Sequence, residues 1–308
     1  MSLALRGDAR VADDTRDRVL RIAEQLNYRP NLLARAMVTG RSCVIGLAIP
    51  RLDFSYMPRL GDAIHETAFE AGYGVLTCCH HDDPDRLPGV LADLHDRQVD
   101  GVIVHGPVPA PGRHAPAPPE RPTVYLGFGQ ARPAGLTLDL LPRAAGDIAV
   151  TKLAAAGHRS LGYAGVRDGF FGAARLRGVQ QAAARLGLKP SAAFAGDESL
   201  DGGRAAARLF LAANARPSAV VAYTDAVAVG FVQACTLAGV RVPEDVSVVG
   251  VDDLPLAEAC SPGLTTLRAP ADEMGRAATT ALLSGAPVPT ESRVFDWQWV
   301  PRGSTAPG

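Results

Sequence analysis

The stretch "VSVVGVDD" (Val246–Asp253) decides the fold class. It is apolar until it ends in two acids, which is typical of a strand buried on both faces of a parallel sheet and followed by a polar loop. Similar runs recur as "CVIGLAI" (43–49), "GVLTCC" (74–79), "DGVIVHG" (100–106), "TVYLGF" (123–128), "SLGYAG" (160–165) and "AVVAYT" (219–224). Amphipathic segments between them predict helices near 58–71, 85–97, 143–156, 175–186, 203–213, 225–238 and 271–284. The alternation predicts an α/β fold with parallel sheets.

The strand–helix pattern occurs twice, from Cys43 to about Leu141 and from Ser160 to about Leu267. The proline-rich stretch 107–122 fits neither element and is predicted to be a surface loop. We therefore expect two open-sheet lobes that face each other across a cleft. Ligands of open α/β sheets lie beyond the carboxyl ends of the strands, so the loops after the strands are expected to line this cleft.

The composition of the 308 residues is that of an ordinary globular chain, with 47% hydrophobic and 20% charged residues. The 31 basic and 32 acidic residues nearly cancel, so any nucleic-acid signal must be local. The cysteine count is odd, at five, and no CxxC spacing occurs, which favours a reducing compartment. No apolar stretch reaches transmembrane length and no charged-then-apolar leader is present. A cytoplasmic protein without a membrane partner is predicted.

The first forty residues are different in character. Val19, Ile22 and Leu26 lie on one face of a predicted helix at about 14–26, with Asp13 as its expected cap. "YRPN" breaks the chain, and "NLLARAMV" (31–38) predicts a second helix of about two turns. Between residues 27 and 43 there are three arginines and no acid. So short a helix needs a partner. Duplex DNA is one candidate, with Met37 as a minor-groove wedge; an ordinary solvated surface is the alternative.

Common catalytic signatures are absent: the chain has no P-loop, GxGxxG, GxSxG or HExxH. "CCHHDD" (78–83) contains metal-ligand side chains, but alternation along a strand prevents them from converging on one ion. We predict no metal, no cofactor and no enzymatic activity. Glu198 with His81 is the one acid–base pair that an enzyme reading can nominate.

Several blocks of the sequence, taken in order, resemble the LacI/GalR (lactose-repressor) family of transcriptional regulators. They are "RVADDTRDRVLRIAEQLNYRPNLLARAMVTGRSCVIGLAIP", "QVDGVIV", "AAAGHRSLGYAG", "RLRGVQQA", "AGVRVPEDVSVVGVDDLPLAEACSPGLTTLRAP" and "RGSTAP". The resemblance implies a helix-turn-helix headpiece, a hinge helix and a periplasmic-binding-protein-like core that dimerises and binds a small effector.

The same resemblance implies domain limits. Residues 1–29 correspond to a remnant of the DNA-binding headpiece, because "SLALRGDAR" matches only the tail of a recognition helix. The chain as given is therefore expected to lack the major-groove reader, so operator DNA is a partner only if a headpiece is present. Residues 30–42 correspond to the hinge helix and linker. The N-terminal lobe is expected at 43–142 plus about 270–290, and the C-terminal lobe at 143–269 plus about 291–308.

Two groups of site residues follow from the resemblance. The expected DNA contacts of the hinge region are Tyr28, Asn31, Ala34, Arg35 and Met37. The expected effector contacts are Asp252, Arg175, Glu198, Thr224, Asp139, His81, Phe171 and, within the stretch 52–56, Phe54. Thr224 replaces a common asparagine, and Glu198 stands where sugar-binding members often place an aromatic ring.

These departures leave the ligand open. A sugar or sugar derivative is favoured by family membership, and a nucleoside or an amine-bearing ligand is the alternative. Asp252 can also be read as an ordinary turn residue, and Arg175, which is expected to open a helix, as half of a surface ion pair. A stand-alone sugar-binding protein is the competing class of function; it predicts an export signal and no "YRPNLLARAM" segment.

Overall fold

The computed structural model describes residues 4, 9–28, 32–53, 55–81, 83, 85–106, 121–127, 135–189, 192–285 and 292–308, with the backbone alone at 32–35. The chain divides into two compact units, Met1–Cys43 and Val44–Gly308. Within the described residues, no helix combines the length and apolar character needed to cross a membrane.

Two helices have defined bounds in the described part of the first unit. Helix α1 (Asp13–Gln25) begins after Ala12, so the expected cap at Asp13 is wrong: Asp13 lies in the first turn, where its carboxylate accepts a hydrogen bond from Arg16 at 2.8 Å. Acids in the first turn still favour the helix through its dipole. Helix α2 (Leu32–Thr39) has the two turns that the sequence predicts. It ends at Thr39, and the next residue, Gly40, has a φ of +67°, a conformation suited to glycine.

The second unit alternates strands and helices. Its elements in chain order are β1 (Val44–Ile49), α3 (Met57–Glu70), β2 (Gly74–Cys79), α4 (Leu87–Asp96), β3 (Gly101–His105), β4 (Thr123–Gly127), β5 (Leu136–Leu140), α5 (Pro142–Ala155), β6 (Leu161–Gly165), α6 (Gly169–Arg185), β7 (Ala192–Ala195), α7 (Leu200–Leu211), β8 (Ala219–Ala222), α8 (Asp225–Leu237), β9 (Ser247–Val249), α9 (Pro255–Ala259), β10 (Thr266–Arg268), α10 (Ala271–Leu283), β11 (Ser292–Phe295) and β12 (Gln298–Val300).

The strands form two parallel sheets, each the centre of one lobe. The sheet of the first lobe has the order β11-β5-β4-β3-β1-β2, and the sheet of the second lobe has the order β7-β6-β8-β9. All pairs in both sheets are parallel. A small antiparallel pair, β10 with β12, joins the second lobe through bridges from Thr265 to Val249 and from Arg268 to Asp252. The predicted α/β class and the two open lobes are confirmed.

Close backbone contacts shape the helical layers. In the second lobe, α7 and α8 cross at two glycines: a Cβ on Gly203 would lie 2.1 Å from the Val227 carbonyl oxygen, and one on Gly230 would lie 2.0 Å from the Leu200 carbonyl oxygen. In the first lobe, α4 places Leu94 against Gly46 of β1, where a Cβ would meet Leu94 at 2.9 Å. Glycine at these positions lets each layer approach its neighbour.

In the described part of the chain, the backbone passes between the lobes at three places. It crosses at Leu141 after β5, at 269–270 after β10, and at 296–297 after β11. The Trp297 indole donates a hydrogen bond to the Leu141 carbonyl oxygen at 3.0 Å, which joins the first and third crossings. The expectation that 291–308 lies entirely in the C-terminal lobe is wrong at β11, because β11 pairs with β5 of the first sheet.

Candidate functional site

A narrow cavity lies at the carboxyl ends of the central strands, where an open α/β sheet binds its ligands. Both lobes and two of the crossings contribute to its lining, which comprises Ser55, Tyr56, Met57, His105, Pro142, Phe171, Arg175, Tyr223, Thr224 and Trp297. The free volume within it is about 20 Å³, on the order of one water molecule. The lobes are therefore closely apposed in this conformation.

Asp252 follows β9, and its side chain is completely buried. Neither carboxylate oxygen has a partner within hydrogen-bond geometry among the described residues, although the Ser55 hydroxyl lies near enough to influence its pKa. Burial raises the pKa of Asp252 to about 6, against the opposing effects of the Arg175 charge and the Ser55 hydroxyl. Asp252 is not part of the cavity lining itself, but its charge acts on two lining residues, Arg175 and Tyr56. It is thus a buried acceptor in need of donors.

Arg175 lies in the second turn of α6, not at a helix start, because α6 already begins at Gly169. Its side chain is buried, so the surface ion-pair alternative is wrong. One guanidinium nitrogen donates to the Tyr223 carbonyl oxygen, and the group lies 5.0 Å from the Tyr223 ring centroid and 5.6 Å from that of Trp297. The Nε atom has no partner among the described residues. Arg175 and Asp252 together offer a donor and two acceptors without partners.

Thr224 and Phe171 both line the cavity, as the resemblance implies for effector contacts. Thr224 caps the start of α8, where its hydroxyl oxygen accepts the Val227 N–H at 3.4 Å. Phe171 packs edge-to-face on Phe170, with ring centroids 5.1 Å apart. Thr224 thus contributes a hydroxyl group to the lining, and Phe171 contributes an aromatic face.

The histidine at the end of β3 was missed by the sequence analysis. The Nε2 atom of His105 lies 3.1 Å from the Tyr56 hydroxyl oxygen. Burial, followed by the nearby His80, lowers the pKa of His105 to about 3, so the ring is neutral at ordinary pH. The His80 ring donates through Nε2 to the His105 carbonyl oxygen at 2.8 Å. The position of His105 at the carboxyl end of "GVIVH" is a signal that points to the cleft.

Trp297 was missed too, and no sequence pattern marks it, because it lies in a crossing between β11 and β12. Its ring packs edge-to-face on Tyr56, at 6.3 Å between centroids, and is almost completely buried. Tyr56 is the member of the stretch 52–56 that lines the cavity together with Ser55.

Other expected effector contacts lie outside the cavity lining. Glu198 forms an ion pair with Arg51 of the first lobe at 2.6 Å. Asp139 is buried within β5, where it accepts the Ser292 hydroxyl at 3.0 Å. His81 is exposed after β2. Phe54 lies outside the described residues. Within the same described ranges, no cluster of three or more histidine, cysteine or acidic side chains has the arrangement of a metal site.

The expected DNA contacts lie in the first unit. Tyr28 follows α1 and is partly exposed, and Met37 on α2 is 90% exposed. Asn31 and the side chains of Ala34 and Arg35 lie outside the described residues. An exposed apolar side chain such as Met37 on a two-turn helix is a feature that a binding partner would cover.

Comparisons with known proteins assign the fold and the sequence to one group. A family model described as a periplasmic binding protein-like domain matches residues 150–305. The chain is 31% identical to the ribose operon repressor of Escherichia coli strain K12, over 87% of this chain and 82% of the relative. It is 30% identical to the HTH-type transcriptional repressor PurR of Klebsiella pneumoniae strain 342, over 89% and 82%.

Among solved structures, the chain is similar to the Lac repressor dimer bound to operator and the anti-inducer ONPF. The TM-score is 0.87 at 23% identity, covering 99% of this chain and 94% of that one. This similarity establishes the fold alone, and the family is assigned from the two repressors of similar sequence. With a two-lobe core, a cleft between the lobes and these relatives, the chain belongs to the LacI/GalR family of effector-sensing transcriptional regulators, which are not enzymes.

Proposed function

We propose that this regulator senses a small polyhydroxylated molecule, a sugar or sugar derivative, in the interlobe cleft and couples its binding to operator DNA. The observation that carries the proposal is the Asp252 carboxylate, which is fully buried and has no hydrogen-bond partner among the described residues. A hydroxyl group both donates and accepts, so two neighbouring hydroxyls would satisfy Asp252 and the Arg175 Nε atom together.

The remaining lining suits such a ligand. Phe171 and Trp297 offer apolar ring surface to the C–H face of a sugar, while Ser55 and Thr224 offer hydroxyl groups. The neutral His105 ring adds a polar group without net charge. A relative of similar sequence is the repressor of a ribose operon, which agrees with a sugar as the class of effector.

The coupling to DNA that we propose begins with a change in the angle between the lobes, because the cleft is narrow. The cavity holds about one water in this conformation, so a sugar is accommodated only when the lobes change their relative angle. An effector that binds one angle better than another shifts the population towards it, with a coupling of about 1–3 kcal/mol in typical systems. The DNA contacts that we propose are Tyr28, Asn31, Ala34, Arg35 and Met37.

We further propose a homodimer in a reducing, cytoplasmic compartment, with no membrane partner. None of the five cysteines forms a disulfide bond, which agrees with that compartment. Size-exclusion chromatography with light scattering tests the dimer. Selection of duplex DNA from a random pool tests operator binding. If Met37 enters the minor groove as a wedge, Met37→Ala is expected to lower the affinity for the selected duplex at least about tenfold.

Isothermal titration calorimetry tests the effector site. The panel is D-ribose, D-galactose, cellobiose and adenosine at pH 7.5, titrated into the wild type and the Asp252→Asn variant. We expect saturable heat from a sugar and a loss of about 100-fold in affinity in Asp252→Asn, because a hydrogen bond to a buried charge is removed. Asp147→Asn, which alters a surface ion pair with Arg185, is the matched control and is expected to bind normally. Equal affinity in wild type and Asp252→Asn, or binding of adenosine alone, would contradict the proposal.

A further inference from the structure

The turn that carries Asp252 has an unusual backbone. Asp252 has a φ of +111° and Asp253 a φ of +55°. Residues with side chains rarely occupy this region, and two in succession persist only where their surroundings hold them there. The contacts around the turn are therefore part of how the Asp252 carboxylate reaches its position.

An aspartate in a turn ordinarily accepts a hydrogen bond from a backbone N–H one or two residues further on. For Asp252 these donors are the N–H groups of Asp253 and Leu254, and both have other acceptors. The Asp253 N–H donates to the Thr266 hydroxyl oxygen at 3.4 Å, and the Leu254 N–H donates to the Asp225 carboxylate at 2.7 Å. The local donors that would satisfy Asp252 are thus occupied.

Asp225 keeps the N–H groups of both Leu254 and Asp253 occupied, the first directly and the second through Thr266. Asp225 lies in the first turn of α8 and is completely buried. One carboxylate oxygen accepts the Leu254 N–H, and the other accepts the Thr266 hydroxyl at 2.5 Å, which leaves the Thr266 oxygen lone pairs for the Asp253 N–H. The Asp225 N–H itself donates to the Val251 carbonyl oxygen at 2.8 Å, which fixes the helix start beside the turn.

Asp253 anchors the other side of the turn. Its carboxylate accepts hydrogen bonds from the Arg268 Nε atom at 2.6 Å and from the Arg302 guanidinium at 2.7 Å. The Asp252 N–H donates to the Leu267 carbonyl oxygen at 2.7 Å. With the backbone held from both sides, the Asp252 side chain is left without a local partner, next to Arg175.

We propose that Asp225 is a positioning residue for effector binding: it occupies the Leu254 N–H directly and the Asp253 N–H through Thr266, and so keeps both oxygens of Asp252 available for the ligand. The inference rests on the proposed function only for the role of Asp252. The Asp225 and Asp252 carboxyl groups also interact through their charges, so the hydrogen-bond role is separated from the charge by variants of Thr266, which carries none.

The Asp225→Ala variant tests the inference directly. Alanine removes both acceptor oxygens, so the Leu254 N–H loses its acceptor and is released. Asp252 then captures that N–H, and its titration midpoint falls by about one pH unit or more, because a donor favours the charged form. The midpoint is read from the carboxyl ¹³C signal of labelled aspartate, which Asp252→Asn assigns.

A second pair of variants keeps the test decisive if Asp225→Ala does not fold. Thr266→Val removes the hydroxyl link while keeping the volume, and it is expected to lower the Asp252 midpoint. Thr266→Ser retains the hydroxyl and is expected to restore the wild-type midpoint. Asp147→Asn, on the surface of the same lobe, is the control and leaves it unchanged. An Asp252 midpoint that stays at the wild-type value in Thr266→Val, or in folded Asp225→Ala, overturns the inference.

The titration requires no effector, so the two proposals fail separately. If the midpoint moves as expected but no sugar of the panel binds the wild type, the effector proposal fails and the positioning of Asp252 by Asp225 stands. If a sugar binds in an Asp252-dependent way but the midpoint does not move, the positioning role fails alone. Where a panel sugar binds, its affinity is expected to fall at least about tenfold in Asp225→Ala, because Asp252 must give up its new partner.

Discussion

The Arg51 guanidinium of the first lobe and the Glu198 carboxylate of the second lobe meet at 2.6 Å, in the loops that follow β1 and β7. Both side chains are more than a third exposed, and Arg51 also contacts Asp53 at 3.0 Å. An ion pair of this exposure is worth about 0–1 kcal/mol. One kcal/mol is about fivefold in an equilibrium between closed and open lobes, so this contact adjusts closure and does not lock it.

Removing this ion pair is expected to expose the cleft. In Glu198→Gln, acrylamide quenching of the buried Trp297 should increase, measured in a Trp299→Phe background so that one tryptophan reports. High salt should act on the wild type in the same direction, because it screens exposed charges. Glu273→Gln, which breaks an exposed ion pair inside the first lobe, is the matched control. Quenching that is equal in all three proteins and insensitive to salt would contradict a role in closure.

His105 and Asp252 give the folding free energy opposite dependences on pH. Burial lowers the pKa of His105 from 6.5 to about 3, so between these values the unfolded chain binds the extra proton and stability is lost as the pH falls. Burial raises the pKa of Asp252 from 3.8 to about 6, so between these values the native chain holds the extra proton and stability is lost as the pH rises. Between about pH 4 and 6 the two contributions oppose each other.

Single substitutions should separate the two contributions. Asp252→Asn is expected to raise the free energy of unfolding at pH 7.5 by up to about 3 kcal/mol, since a buried charge is removed, and to steepen the loss of stability towards pH 4.5. His105→Asn is expected to flatten that loss. Urea unfolding followed by circular dichroism across this pH range measures both. Profiles that stay parallel to the wild type would show that neither group titrates with folding.

Arg175→Met should raise the pKa of Asp252 above that of the wild type. The Arg175 charge opposes the effect of burial on Asp252, and methionine fills similar space against the Tyr223 and Trp297 rings without the charge. A ¹³C titration of labelled aspartate measures the change. Arg177→Met, on the exposed face of the same helix, is the control and should leave the midpoint in place. An unchanged midpoint in Arg175→Met would mean that the two groups do not interact.

Two glycines on helices should respond oppositely to alanine. Gly230→Ala places a methyl group against the Leu200 carbonyl oxygen, where a Cβ has only 2.0 Å, and should cost about 3 kcal/mol or more. Gly61→Ala, on α3, meets nothing within 4 Å and should stabilise by up to about 1 kcal/mol through helix propensity. Thermal unfolding measures both, and a similar melting temperature for the two variants would argue against the close crossing of α7 and α8.

Much of the fold followed from sequence periodicity. Each strand expected from a continuous apolar run is present, because buried parallel strands leave that pattern. The segments β5, β7 and β10 to β12 were not predicted. "LTLDL" carries an acid, and "AAFA" and "QWV" are too short for periodicity to mark. The return of β11 to the first sheet was also missed, since strand order depends on tertiary pairing that no local pattern encodes.

The site was predictable where it follows a strong strand. Asp252 and Thr224 come directly after runs of buried valine and alanine, and the rule for strand ends placed them at the cleft. Trp297 was unpredictable because it enters through a crossing between lobes. Glu198 was expected to face the effector, but it forms an ion pair with Arg51. The two residues are 147 positions apart, and no local sequence pattern predicts a contact over that separation.

Trp297 and Pro142 lie at or beside the backbone crossings and also line the cavity. A molecule held there contacts the hinge about which the two lobes rotate, and not the surfaces of the lobes far from the hinge. A rotation of one lobe about a hinge displaces each atom in proportion to its distance from the hinge, so a small displacement near the hinge is accompanied by a larger one far from it. Val44, at the amino end of β1, lies about 17 Å of strand away from the carboxyl end that faces the cleft. In the coupling that we propose, a small change at the cleft lining therefore becomes a larger displacement at Val44, the first residue of the second unit.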